Sequence, residues 1–114
     1  LPADQLRSKG DLTFSGWLRT LGVGGDHFAF FAIYQYDAGG KLVQWKDLCQ
    51  VTGTTDWKEV KDTFNVHPQA AVVDLQAGLW ECYGVAWYDD IRVTDRDQVV
   101  LSSAHGAANL TDRE

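Results

Sequence analysis

Trp17 and Arg19 stand two residues apart, as do Tyr34 and Tyr36; Trp45 follows the second pair after a short glycine turn, and Trp80 and Tyr83 open a later run. Residues two apart on a strand point to the same face. An exposed indole or phenol ring can stack on a flat apolar surface such as the C–H face of a sugar, and neighbouring Asp, Gln, Arg or Glu can take the hydroxyls at its rim. Trp17, Arg19, Tyr34, Tyr36, Trp45, Trp80 and Tyr83 are therefore the candidate ligand-binding residues. Five Trp, five Phe and four Tyr in 114 residues leave aromatic side chains to spare after a core is filled. Trp57, Trp87, Phe14, Phe28, Phe30, Phe31 and Phe64 are assigned to that core.

Other chemistry has little support in the residues. Asp89 and Asp90 are adjacent, so on a strand they point to opposite faces. They do not form an acid and base about 5 to 10 Å apart at one scissile bond, and beside Arg92 they read as a solvated acidic pair. His27, His67 and His105 fall in predicted loops or the tail, without metal-binding spacing. No serine sits in a nucleophile elbow. The Gly22–Gly25 segment lacks the Lys and the following helix of a phosphate-binding loop. No enzymatic activity is expected.

Charge narrows the partners. The net charge is −6 and the ten Lys and Arg are scattered, which argues against nucleic acid, anionic membranes and polyanions. Neutral polymers remain. No apolar run approaches the roughly 20 residues that cross a bilayer.

The elements that must position these residues read as strands. Leu12 to Thr20 alternates, with Leu12, Phe14, Gly16 and Leu18 on one face and Thr13, Ser15, Trp17 and Arg19 on the other. Gly22-Val23-Gly24-Gly25-Asp26 predicts a break, and Phe28 to Tyr36 a second strand. Asp37-Ala38-Gly39-Gly40 predicts a hairpin turn before a strand from about Leu42 to Val51. Thr52 to Asp56 predicts a turn, Trp57 to Val66 a strand ended by His67-Pro68, and Ala70 to Leu75 a short strand. Gln76-Ala77-Gly78 predicts a turn into a long strand, Trp80 to Val93; Gln98 to Ser102 supplies one more. No amphipathic helix is predicted. The expectation is one all-β domain, an antiparallel β-sandwich, over residues 1–103, with residues 104–114 a poorly ordered tail. Cys49 and Cys82 are compatible with one disulfide or with two buried thiols.

Three stretches carry a family resemblance: Phe14-Ser15-Gly16-Trp17-Leu18-Arg19-Thr20; Thr52-Gly53-Thr54-Thr55-Asp56-Trp57-Lys58-Glu59 with Phe64-Asn65-Val66-His67-Pro68-Gln69-Ala70; and Gly84-Val85-Ala86-Trp87-Tyr88-Asp89-Asp90-Ile91-Arg92-Val93. In this order and spacing they resemble the second half of a jelly-roll carbohydrate-binding module, of the xylan- and glucan-binding type appended to secreted bacterial glycoside hydrolases. The resemblance implies a jelly-roll sandwich, a polysaccharide or oligosaccharide ligand, a secreted or cell-surface location, and a structural calcium ion held in part by Asp90. It also shows a departure: such modules begin with further strands, and only Leu1 to Asp11 precede Leu12 here. The other calcium ligands of the family lie mostly in that missing part, and an open sheet edge would be left for a homodimer to cover. The rival reading is a structural or protein-interaction module of a surface protein.

Overall fold

The computed structural model describes residues 2–7, 11–95 and 98–109. Its chain is almost all strand: β1 (Leu12–Tyr36), β2 (Leu42–Val51), β3 (Gly53–Phe64), β4 (Val72–Asp95) and β5 (Gln98–Asn109), preceded by a four-residue helix α1 (Asp4–Arg7). All pairings are antiparallel, in the order β2-β1-β4-β5, with β3 also on β1.

β1 and β4 run side by side for their whole length, from Thr13↔Thr94 to Tyr36↔Val72. This long ribbon doubles back and packs on itself. One layer is β3, the first part of β1, the last part of β4, and β5; the other is β2, the last part of β1 and the first part of β4. The result is an antiparallel β-sandwich about 17 Å through its thinnest axis. Leu12, Phe14 and Leu18 face inward from the first layer, as the alternation predicts, and meet Ala29, Phe31 and Ile33 from the second. The Phe31 ring stands edge-on to both Phe14 and Tyr88, 5.0 Å from each. A Cβ on Gly16 would lie 2.9 Å from the Phe31 ring, so the absence of a side chain there lets the layers close.

The predicted break at Gly22 to Asp26 is not a break. Hydrogen bonding continues through Leu21↔Val85, Gly24↔Tyr83, Gly25↔Cys82 and Phe28↔Trp80, with bulges between them. These bulges are where the ribbon turns its corner. Gly84 lies at φ 115°, so close to the opposite strand that a Cβ would meet the Gly22 carbonyl oxygen at 2.7 Å. The inward-facing set changes there from even to odd residues, because an extra residue shifts the two-residue period.

Three further boundaries differ from expectation. Gln76-Ala77-Gly78 is no turn but the middle of β4, paired to Ala32, Phe31 and Phe30, so the two strands read there are one. β3 begins at Gly53, leaving Thr52 as the link from β2. The strand predicted over Gln98 to Ser102 continues to Asn109, taking in part of the predicted tail; residues 110–114 lie outside the described residues. The hairpin between β1 and β2 is as predicted: the Asp37 carboxylate accepts hydrogen bonds from the amides of Gly39 and Lys41, each 2.9 Å long. Ahead of β1, Pro2 bridges to Val72, the Ala3 amide donates to the Ala71 carbonyl, and Ala3 and Leu6 are buried in the core.

Candidate functional site

The outer face of the second layer carries a basin of about 480 Å³. Cross-strand register builds it in rungs. Phe28 pairs with Trp80 at one end, and Phe30 with Gly78 next; Asp47, Ala32 and Gln76 share the middle rung. Trp45, Tyr34 and Asp74 follow, and Leu42, Tyr36 and Val72 close the far end. Eight residues separate the end rungs along β1, roughly 26 Å at strand rise, across three strands about 10 Å wide. Phe28 and Trp80 line one end and Tyr36 with Leu42 the other, with Asp47 and Gln76 between them. This shape suits an extended ligand better than a single small ring.

Polar groups sit near the middle. Gln76 Nε2 donates to the Asp74 carboxylate at 2.9 Å, so each fixes the other. Asp47 accepts from Gln50 Nε2 at 3.1 Å. Among the described residues no Lys or Arg lines the basin. Lys46, next to Trp45, points the other way: its Nζ donates to the Thr63 carbonyl at 2.8 Å and stands 3.2 Å from the Asp62 carboxylate. The Thr63 amide and then Lys46 hold the Asp62 carboxyl below its ordinary range.

Of the seven ligand-binding candidates, Tyr34, Tyr36, Trp45 and Trp80 meet in this basin. Trp45 is its most open aromatic, 57% exposed. The other three stand elsewhere. Trp17 and Arg19 lie on the outer face of the first layer, where Glu59 and Asp89 flank Trp17 across the strands. The Arg19 guanidinium sits 5.1 Å above the Trp87 ring. Tyr83 is at the corner, against Gly24, whose missing Cβ would fall 2.7 Å from the tyrosine hydroxyl. Sequence period alone could not separate these sets, since the sandwich has two outer faces.

Several assignments change. Phe28 is half-buried and Phe30 buried, yet both line the basin on the side away from the core. Their two-residue spacing from Tyr34 and Tyr36 was the available signal. Trp57 is 41% exposed on β3, and Trp87 is only half-buried. His27 lies in β1 rather than in a loop, while His67 does follow β3 in a loop. Leu42, Asp47 and Gln76 were not anticipated; Asp47 and Gln76 are ordinary polar residues of strands until the register brings them to one rung.

Asp90 takes a left-handed conformation, φ 50°, in a bulge of β4, and its carboxylate accepts from Arg92 Nε at 2.6 Å. The bulge, not simple alternation, sets its direction. Among the described residues no group of three or more His, Cys, Asp or Glu comes together to hold a metal ion. Cys49 and Cys82 are free thiols, both pushed up in pKa chiefly by burial. No family model matches the chain, and neither a curated protein nor a solved structure matches it.

Proposed function

We propose that this chain is a non-catalytic carbohydrate-binding domain that holds a β-glycan chain in the basin of the second layer and targets an attached enzyme to its polymer. One observation carries the reading: aromatic rings of Tyr34, Tyr36, Trp45 and Trp80 line the walls of an elongated basin whose middle holds carboxylate and amide groups. Rings of this kind take the C–H faces of pyranoses, and Asp47, Asp74 and Gln76 can meet their hydroxyls. With the Asp47 carboxylate lining the basin and, among the described residues, no cation there, neutral chains are favoured over polyuronates. Binding of this sort requires no nucleophile, acid or base. An antiparallel β-sandwich is the broad class of fold that the sequence resemblance implies, and a polymer ligand implies work outside the cell.

Affinity electrophoresis through gels containing xylan, mixed-linkage β-glucan, glucomannan, pectin or alginate tests this directly. Retardation by a neutral β-glycan, and not by pectin or alginate, is the expected result. No retardation of folded protein by any polymer, with calcium present, would remove the reading.

A second reading, a protein-interaction or spacer module, has its own observation. The outer face of the first layer exposes Trp17, Leu21 and Trp57, and exposed apolar patches of this kind also serve protein contacts. Under that reading no glycan retards the domain, and Trp17→Ala, not Trp45→Ala, weakens its association with a partner.

A further inference from the structure

We propose that His27 is a positioning residue for the basin: its imidazole stacks on the back of Trp80 and holds the indole in the attitude that forms the basin's end wall. The consequence for binding rests on the glycan reading above; the clamp itself does not.

The geometry begins in the backbone. Between the pairs Gly25↔Cys82 and Phe28↔Trp80, β1 has two residues, Asp26 and His27, where β4 has one, Glu81. Glu81, the single residue opposite, takes a left-handed φ of 43°. Neighbours on a regular strand point to opposite faces, but here His27 and Phe28 both reach the same indole. The His27 ring lies 3.8 Å from that of Trp80, centroid to centroid, at 26°. The Phe28 ring meets Trp80 edge-on at 5.5 Å and 72°. Trp80 lines the basin, with His27 outside it.

Hydrogen bonding at Nδ1 does not account for the ring's place. Its Nδ1 is enclosed with no hydrogen-bond partner among the described residues, and the nearest carboxylate oxygen, on Glu81, is 3.8 Å away. Enclosing an unpartnered ring nitrogen costs stability, so the flat stack is the contact that His27 makes well. An indole that is 37% exposed would otherwise exchange rotamers and have to be ordered as ligand bound. Holding it in advance saves an ordering cost equivalent to about three- to tenfold in affinity.

The test uses protein labelled with 5-fluorotryptophan, its Trp80 resonance assigned with Trp80→Phe. In His27→Ala and His27→Leu the Trp80 fluorine signal should move or broaden while the other four tryptophan signals stay in place. Retardation by the polymer that binds wild type should fall about three- to tenfold. His27→Phe, which can still stack, should restore both. A Trp80 signal unmoved in both His27→Ala and His27→Leu overturns the proposal, and so does a moved signal with undiminished retardation. If no polymer retards the wild type, the glycan reading fails, and the fluorine signals alone decide whether His27 positions Trp80.

Discussion

The Tyr88 hydroxyl donates a 2.5 Å hydrogen bond to the Gly78 carbonyl, tying a core residue of the first layer to the part of β4 that pairs with Phe30 in the second. Both groups are buried, so removing the donor strands an acceptor. Tyr88→Phe should cost about 1–3 kcal/mol in urea unfolding. Burial, above all, pushes the Tyr88 hydroxyl far above the ordinary tyrosine range. The folded state thus keeps the neutral phenol after the unfolded chain has begun to lose its proton. That stabilisation is complete below about pH 10 and is lost as the pH rises beyond it, by about 1.4 kcal/mol per unit. The gap between wild type and Tyr88→Phe should therefore narrow between pH 9 and pH 11. A gap that is constant or widens would show that Tyr88 is not the group responsible.

Gln35 is the other cross-chain tie that the sequence conceals. It is buried on the inward side of β1, with its Nε2 donating to the Asn65 carbonyl at 2.9 Å and its Oε1 accepting from the His67 amide at 2.7 Å. The loop after β3 thereby satisfies its backbone through one side chain. Gln35→Leu, which removes both partners, should cost about 2–4 kcal/mol. It should also speed amide exchange at His67 well before global unfolding. Unchanged exchange there would mean that the loop is held by other contacts.

The corner makes a paired prediction about two glycines. Gly84→Ala places a Cβ within 3 Å of the Gly22 carbonyl and Val23 Cα at a φ of 115°, so backbone must move. A loss of 3 kcal/mol or more, or failure to fold, is expected. Gly22→Ala meets open space at φ 61° and should cost only about 1 kcal/mol. Equal losses in urea unfolding would contradict the close approach at Gly84.

The alternation of Leu12, Phe14 and Leu18 was legible because it is local, and so were the hairpin at Asp37 and the shared face of Tyr34, Tyr36 and Trp45. Glycine was the source of the misreadings. By propensity Gly22 to Gly25 and Gly78 read as chain breaks, whereas the first group bends a continuous ribbon and Gly78 continues β4 opposite Phe30. Propensity marks both uses identically; only the partner strand distinguishes them. The division of Trp17 and Arg19 from Tyr34 and Trp45 depends on how the ribbon doubles over. Asp90 and His27 depend on bulges, which shift side-chain direction without any change in hydrophobic period.

That division is what the last prediction tests. Trp45→Ala and Tyr34→Ala remove rings from the basin, and Trp17→Ala removes an exposed ring of similar kind from the opposite face. If the basin holds the ligand, the first two should weaken glycan retardation by about fivefold or more, since stacking contributes on the order of 1–3 kcal/mol per ring by analogy with base stacking. Trp45→Ala should melt within a few degrees of wild type, because its side chain is 57% exposed, and Trp17→Ala, at 38% exposed, should lose somewhat more. Trp87→Ala is the internal control: half-buried beneath Arg19, it should lose about 1–2 kcal/mol of packing and cation–π contact while binding normally. Retardation by a glycan that is equal for wild type and Trp45→Ala but lost in Trp17→Ala would move the site to the first layer. The two faces lie on opposite sides of the sandwich, so one set of three variants is enough to choose between them.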